Sequence, residues 1–159
     1  MRSPYGLSLI ELVVILAVLG VLLALGVPRL SPDRQAVNQA ARGLAQQVTR
    51  ARLEAIRQNA FAGLHVFTDG AGGYAVFVDR DGDRRYDPGE EVHLVRFGQG
   101  DWARLRLDVG RSTLGNLPLL FDPRGLPAKP ITATLALTDR QGSALKRVVI
   151  SQEGRARLD

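Results

Sequence analysis

The chain has 159 residues, 45 % of them hydrophobic and 23 % charged, the makeup of one folded domain and not of a disordered tail. It has no cysteine and only two histidines, His65 and His93. That excludes disulfide scaffolds, thiol catalysis and zinc–thiolate clusters, and leaves little for an imidazole-rich metal site. The formal charge is +5, and 19 of the 21 basic residues are arginine, whose planar fork suits phosphate and carboxylate. The balance permits a polyanionic partner without requiring one.

From Leu7 to Val27 the only polar side chains are Ser8 and Glu11. As a helix this run would rise ~32 Å, close to the ~30 Å hydrocarbon core of a bilayer. A removable secretory signal would be basic first, then shorter, and would end in a small-x-small cleavage site. Here the run is long and leads straight into Pro28-Arg29-Leu30, so a retained membrane segment fits better. Glu11 stands at the fifth position of that run, where an unpaired carboxylate is costly in hydrocarbon. It needs a partner or a place at headgroup depth. A chain beginning at Leu7 would supply an ammonium one helical turn away, or on a neighbouring subunit.

The stretch Gly6-Leu7-Ser8-Leu9-Ile10-Glu11-Leu12-Val13-Val14 resembles the processing site of type IV pilins and type II secretion pseudopilins. The resemblance implies a leader, residues 1–6, removed by a prepilin peptidase between Gly6 and Leu7. It implies methylation of the new N-terminus at Leu7, an assembly role for Glu11, and a transmembrane and assembly helix over residues 7–30. Leucine stands where such proteins usually have phenylalanine, and Pro28 falls where they often have a helix-kinking proline. Only Arg2 precedes the apolar run, with Arg29 and Arg34 after it, so basic residues do not fix the orientation. The resemblance does: a single pass through the inner membrane, the head on the extracytoplasmic side, then a place in a pilus or pseudopilus.

The head is expected over residues 31–159. Ser31-Pro32-Asp33 is a helix start, with a capping hydroxyl, proline in the first turn and an acid near the positive helix end. Val37, Ala41, Leu44, Val48, Ala51 and Ala55 then recur at spacings of four and three, one apolar stripe along an amphipathic helix over 31–60. Arg34, Arg42, Arg50, Arg52 and Arg57 stud the rest. A DNA-reading helix is the sharper interpretation; a solvated face on a helix packed against a sheet needs no ligand and is preferred.

After Ala60 the period becomes extended. Leu64–Phe67, Tyr74–Val78, Val92–Phe97, Ala103–Val109, Leu117–Phe121, Ile131–Leu137, Lys146–Ser151 and Arg155–Leu158 read as strands punctuated by glycine, proline and aspartate. One long helix followed only by strands predicts an α+β fold, with the amphipathic helix lying on an antiparallel sheet. No helical crossover separates the strands, which disfavours βαβ nucleotide folds.

Asp79, Asp81, Asp83, Asp87 and Glu90 fall at positions one, three, five, nine and twelve of a calcium loop. Position six, which needs glycine for its turn, holds Arg84, and the arginines within the loop repel a cation. A polar hairpin loop without metal is the preferred reading, so no metal or other cofactor is expected.

At the C-terminus, alternation puts Arg155 and Arg157 on one strand face, ~6–7 Å apart, comparable to phosphate spacing along DNA. Lys146, Arg147 and Arg140 lie in the preceding hairpin, and Arg124 in Asp122-Pro123-Arg124-Gly125. On composition alone an edge strand shielded by charge is the simpler explanation.

Gly73-Tyr74-Ala75-Val76-Phe77-Val78-Asp79, Asp87-Pro88-Gly89-Glu90, Phe121-Asp122-Pro123-Arg124-Gly125 and the terminal Gly-Arg-x-Arg resemble, as an ordered set, the GspH/FimT family of minor pilins and pseudopilins. That resemblance implies a pilin-like fold and filament partners. In its FimT-like branch it implies capture of double-stranded DNA in natural transformation through Gly154, Arg155 and Arg157. Lys146 and Arg147 join that set by charge proximity. The competing implication is an H-type pseudopilin at the tip of a type II secretion pseudopilus.

A membrane-anchored enzyme is the third class. Ser112 and Ser143 have no histidine near them in sequence, His65 and His93 sit within strand patterns, and Gly70-Ala71-Gly72-Gly73 precedes a strand where a phosphate loop would precede a helix. No catalytic residue is assigned.

Overall fold

A computed structural model describes residues 8–26, 32–113, 118–130 and 132–159. The first helix, α1, spans Leu9–Gly26, 18 residues or ~27 Å of rise. Its large apolar side chains as far as Val21 are exposed, Leu9 at 80 % and Ile10 at 71 %. Among the described residues no helix is long and apolar enough to cross a membrane. The apolar run itself begins before them, at Leu7, and continues past Gly26 to Val27. Gly6, Leu7 and Pro28, with their expected processing and kink, lie outside the described residues.

Pro32–Asp159 forms a compact unit distinct from the segment before it. Its helix, α2, spans Pro32–Gln58, with Asp33 in the first turn. Asn59 ends it in the left-handed conformation, φ +50, and the Ala60 N–H reaches back to the Ala55 carbonyl at 3.2 Å. All six residues of the expected stripe are buried, joined by Ala40 and Glu54. Glu54 accepts from Arg57 Nη2 at 2.8 Å, so its carboxylate is paired at the helix margin.

Eight strands follow, one for each expected: β1 (Ala62–Phe67), β2 (Gly73–Val78), β3 (Glu91–Arg96), β4 (Leu105–Leu107), β5 (Leu119–Phe121), β6 (Ala133–Asp139), β7 (Leu145–Ile150) and β8 (Ala156–Leu158). They form two antiparallel sheets, ordered β3-β2-β1-β5 and β4-β6-β7-β8, where the sequence suggested one. The division arises because β5 pairs with β1, Leu64 opposite Leu119, while β4 pairs with β6, Leu105 opposite Asp139. The α2 stripe packs against β1, β2 and β5 of one sheet and β6, β7 and β8 of the other. Leu64, Val76, Leu119 and Phe121 meet Leu135, Leu137, Val148 and Ile150 in a single core.

The expected strand over 103–109 shortens to three residues and ends in a 3-10 turn over Val109–Arg111. Its alternation holds: Leu105 and Leu107 are buried and Arg106 is exposed. β2 is buried on both faces because Tyr86, in the loop after it, packs over the outer side. The Tyr86 ring stacks on His65 at 4.7 Å and meets Phe77 edge-on at 5.5 Å.

Two outcomes follow. Leu44, 1 % exposed between helix and sheets, leaves a cavity when truncated. Leu44→Ala should cost about 2–5 kcal/mol in denaturant unfolding of the head. At the β6–β7 turn, Asp139 accepts the Ala144 N–H at 2.9 Å and the Ser143 hydroxyl at 2.6 Å. The Ala144 amide and then the Ser143 hydroxyl hold its carboxyl below the ordinary value. A carboxyl depressed by folding stabilises above its unfolded pKa of about 3.9, and that stabilisation is lost as pH falls through the folded value. Asp139→Asn should therefore lose less melting temperature than wild type between about pH 6 and about pH 3.

Candidate functional site

The turn joining β7 to β8 is built from Ser151 to Gly154. The Gly154 N–H bonds the Ser151 carbonyl at 2.8 Å, the Ser151 N–H bonds the Arg155 carbonyl at 2.9 Å, and the Arg155 N–H reaches Ser151 Oγ at 3.3 Å. Gly154 is buried with φ +69, and a Cβ there would stand 2.5 Å from Phe121 Cε1 and 3.2 Å from Pro127 Cγ. Left-handed backbone and lack of space together restrict this position to glycine. The glycine of the Gly-Arg-x-Arg motif is therefore a packing residue.

Its two arginines are exposed. Arg155 precedes β8 and is not in the strand, a correction to the expected pairing of 155 and 157 by alternation alone. The turn nevertheless brings both to one place. With Thr132, Val149, Ser151, Gln152 and Glu153 they line an open groove of about 570 Å³. Among the described residues neither arginine forms a salt bridge. Glu153 lies at the same groove. A hydrogen bond from Ser151 is the main cause that keeps its carboxyl below the usual range, with a smaller contribution from the charge of Arg155.

Strand register separates the other two expected members. Val149 faces Arg157 across the β7–β8 pair, and Val148 and Ile150 are fully buried. Arg147 thus shares the outer face with Arg157, two residues along from Val149. Lys146 takes the core-side parity and lines a separate cavity of about 270 Å³ with Arg34, Val37, Asn38 and Ser143. The expected grouping of Lys146 with the arginines is corrected: adjacent residues on a strand point to opposite faces. Arg140 follows β6 at the far end of β7, and Arg124 pairs with Asp122 at 3.0 Å.

The acidic loop folds around its own backbone. Asp79 accepts the N–H groups of Gly82 at 2.8 Å and Arg84 at 3.0 Å, and Glu90 accepts those of Arg80 at 2.8 Å and Asp87 at 3.2 Å. Carboxylate oxygens of Asp79, Asp81 and Asp83 lie within 4.8 Å of one another. Loss of hydration beside the loop, then the charges of Asp83 and Asp81, hold the exposed Asp87 carboxyl above its ordinary value. Arg84 adopts φ +63, so the turn forms without the glycine the sequence analysis required there, and its guanidinium sits 4.6 Å from the Phe61 ring centroid.

The serines considered for catalysis are occupied in turns. Ser112 Oγ donates to the Asp108 carbonyl and accepts the Ala136 N–H, and Ser143 Oγ donates to Asp139. Glu11, the expected assembly residue, lies in the first turn of α1.

A family model described as type II transport protein GspH matches residues 40–154. The chain is 68 % identical to a protein described as pilin-like protein PilA1 of Thermus thermophilus over 154 residues, 97 % of each chain. Its fold resembles the type IV minor pilin FimU of Pseudomonas aeruginosa, with a TM-score of 0.57 and 21 % identity over 79 % of this chain and 90 % of that one. It also resembles the minor pseudopilin EpsH of Vibrio cholerae, with a TM-score of 0.53 and 19 % identity over 77 % and 95 %.

Backbone amides of the loop donate to Asp79 and Glu90, so the loop has hydrogen bonds of its own to close it. The head should melt at the same temperature in calcium and in chelator. A rise of several degrees in calcium would make this loop a binding site.

Proposed function

The chain belongs to the GspH family of pilin-like proteins, and on that premise we propose that it is a minor pilin that captures DNA on the β7–β8 hairpin. The family is one of structural subunits that assemble with other pilins or pseudopilins in a filament. The finer reading adds processing between Gly6 and Leu7 by a prepilin peptidase, methylation at Leu7, and residence in the inner membrane before assembly. Glu11 then pairs with the new N-terminus of the same or a neighbouring subunit, which removes the cost of a lone carboxylate among apolar side chains.

The observation that carries DNA capture is the pair Arg155 and Arg157, exposed, free of salt bridges among the described residues, and lining one open groove. Arg147 extends the same outer face, while Lys146 is left out by its parity. Guanidinium forks meet phosphates, condensed counterions are released, and the duplex is held without regard to sequence. Filament retraction would then draw the bound strand inward.

The second reading is an H-type pseudopilin whose head touches tip subunits or an exported protein. The description of the matching family model and the fold shared with EpsH favour it. The two part on duplex binding.

Residues 32–159 should shift duplex DNA at low salt, with binding that weakens steeply as salt rises. Replacing Arg155 and Arg157 with glutamine should flatten the slope of log K on log salt by about 1.8, at about 0.9 per lost phosphate contact. A wild-type head that leaves the duplex unshifted at low salt removes the DNA reading and leaves the pseudopilin one.

A further inference from the structure

Two motifs far apart in sequence, Phe121–Gly125 and Gly154–Arg157, meet in the fold, and both meet Arg52 of α2. Arg52 Nη2 donates to the Glu153 carbonyl at 2.6 Å, and the guanidinium carbon lies 5.2 Å from the Phe121 ring centroid. The opposing demand on that ring comes from Gly154, where a Cβ would stand 2.5 Å from Phe121 Cε1. Gly125, at φ +76, brings the preceding loop so near the helix that a Cβ would lie 2.7 Å from Ile56 Cδ1 and 3.2 Å from Arg52 Cγ. Asp122 closes that loop by accepting the N–H groups of Arg124 and Leu126, both at 2.9 Å. Arg52 Nε is buried without a partner among the described residues.

We propose that Arg52 is a positioning residue for the arginine hairpin. By bonding the carbonyl just before Gly154 and covering the ring on which Gly154 rests, it fixes the turn. Arg155 and Arg157 then leave the turn in one direction, into the groove. Gly154 supplies shape and Arg52 supplies the hold; neither touches the ligand. A turn held before binding loses less conformational freedom on association, so the hold strengthens binding without adding a phosphate contact. Lysine cannot replace it, because a single ammonium cannot lie over the ring while a second nitrogen reaches the carbonyl, as the guanidinium fork does. This inference rests on the hairpin being the ligand-binding site, and the test separates the two claims.

The head unit, residues 32–159, contains the whole buried core and serves as the test protein. Arg52→Gln and Arg52→Lys are compared with wild type by amide hydrogen exchange and by binding of a random-sequence duplex across a salt series. In both variants the Gly154 and Arg155 amides should exchange about tenfold faster, with the β6 amides unchanged. The dissociation constant should rise about five- to tenfold in both, and the loss in Arg52→Lys, which keeps the charge, shows that it is not electrostatic. The salt slope should stay that of wild type, whereas Arg155→Gln lowers it by about 0.9. A slope that falls in Arg52→Gln would make Arg52 a phosphate contact and overturn the positioning role. Unchanged exchange at the turn, or unchanged affinity despite faster exchange, would overturn it as well. Should the wild-type head bind no duplex, the DNA reading fails by itself. Exchange then decides alone: faster exchange confined to residues 151–157 supports the hold, and unchanged exchange refutes it.

Discussion

The burial of one narrow helical stripe against two sheets is the constraint on which the head depends. Along α2 the stripe runs Val37, Ala41, Leu44, Val48, Ala51, Ala55, a mixture of alanines and larger aliphatic side chains. Alanine lets the helix axis come close, and the larger residues fill the space between the sheets, so that neither sheet has to bury its inner face alone. Each strand contributes the same parity to this core, Ala62, Leu64 and Val66 from β1 and Val148 and Ile150 from β7. Parity then settles the outer face without further choice. Arg147 and Arg157 stand outside because Val148 and Ile150 stand inside. The same helix that fixes the core also carries Arg52, one residue after buried Ala51, out to the hairpin.

Helix α1 obeys the opposite rule. It has no polar face to give to water, and its large apolar side chains from Leu9 to Val21 are exposed. An all-round apolar helix is stable only in an apolar surrounding. On the proposed function, lipid before assembly and sister helices after it would both answer that need. The one charged residue of α1, Glu11, lies in its first turn.

The elements were legible because each rests on a local period. A 3.6-residue stripe identified α2 to within two residues at either end, and eight runs of extended pattern became eight strands. What local pattern does not contain is which strands neighbour one another. The return of β5 to β1 splits the strands into two sheets, and it is set by core packing over long sequence separations. The site was half legible for the same reason. Arg155 and Arg157 were visible as a terminal motif, but the opposite faces of Lys146 and Arg147 required the register of β7. Arg52 was hidden among the arginines of a solvated helix face, since nothing local distinguishes it from Arg50 or Arg57. Its signal is indirect: two glycines, Gly125 and Gly154, whose positions admit no side chain because the same corner is crowded. Arg84 went astray by the opposite route, taking a left-handed turn that was reserved for glycine.

β8 is an edge strand, and charge on an edge guards against pairing with another chain. That explanation accounts for Arg157 on β8 but for little else at this corner. Protection needs charge anywhere along the strand and makes no demand on the turn before it. Here the turn contains a buried left-handed glycine seated on an aromatic ring, and a helix arginine bonded to the adjacent carbonyl at 2.6 Å. Both features order a segment that edge protection would leave free, and each has a cost: a position closed to every side chain, and a buried donor left unpaired. Rigidity of this kind is useful where the direction of the arginines matters, which is the requirement of a surface that must meet a partner's charges in register.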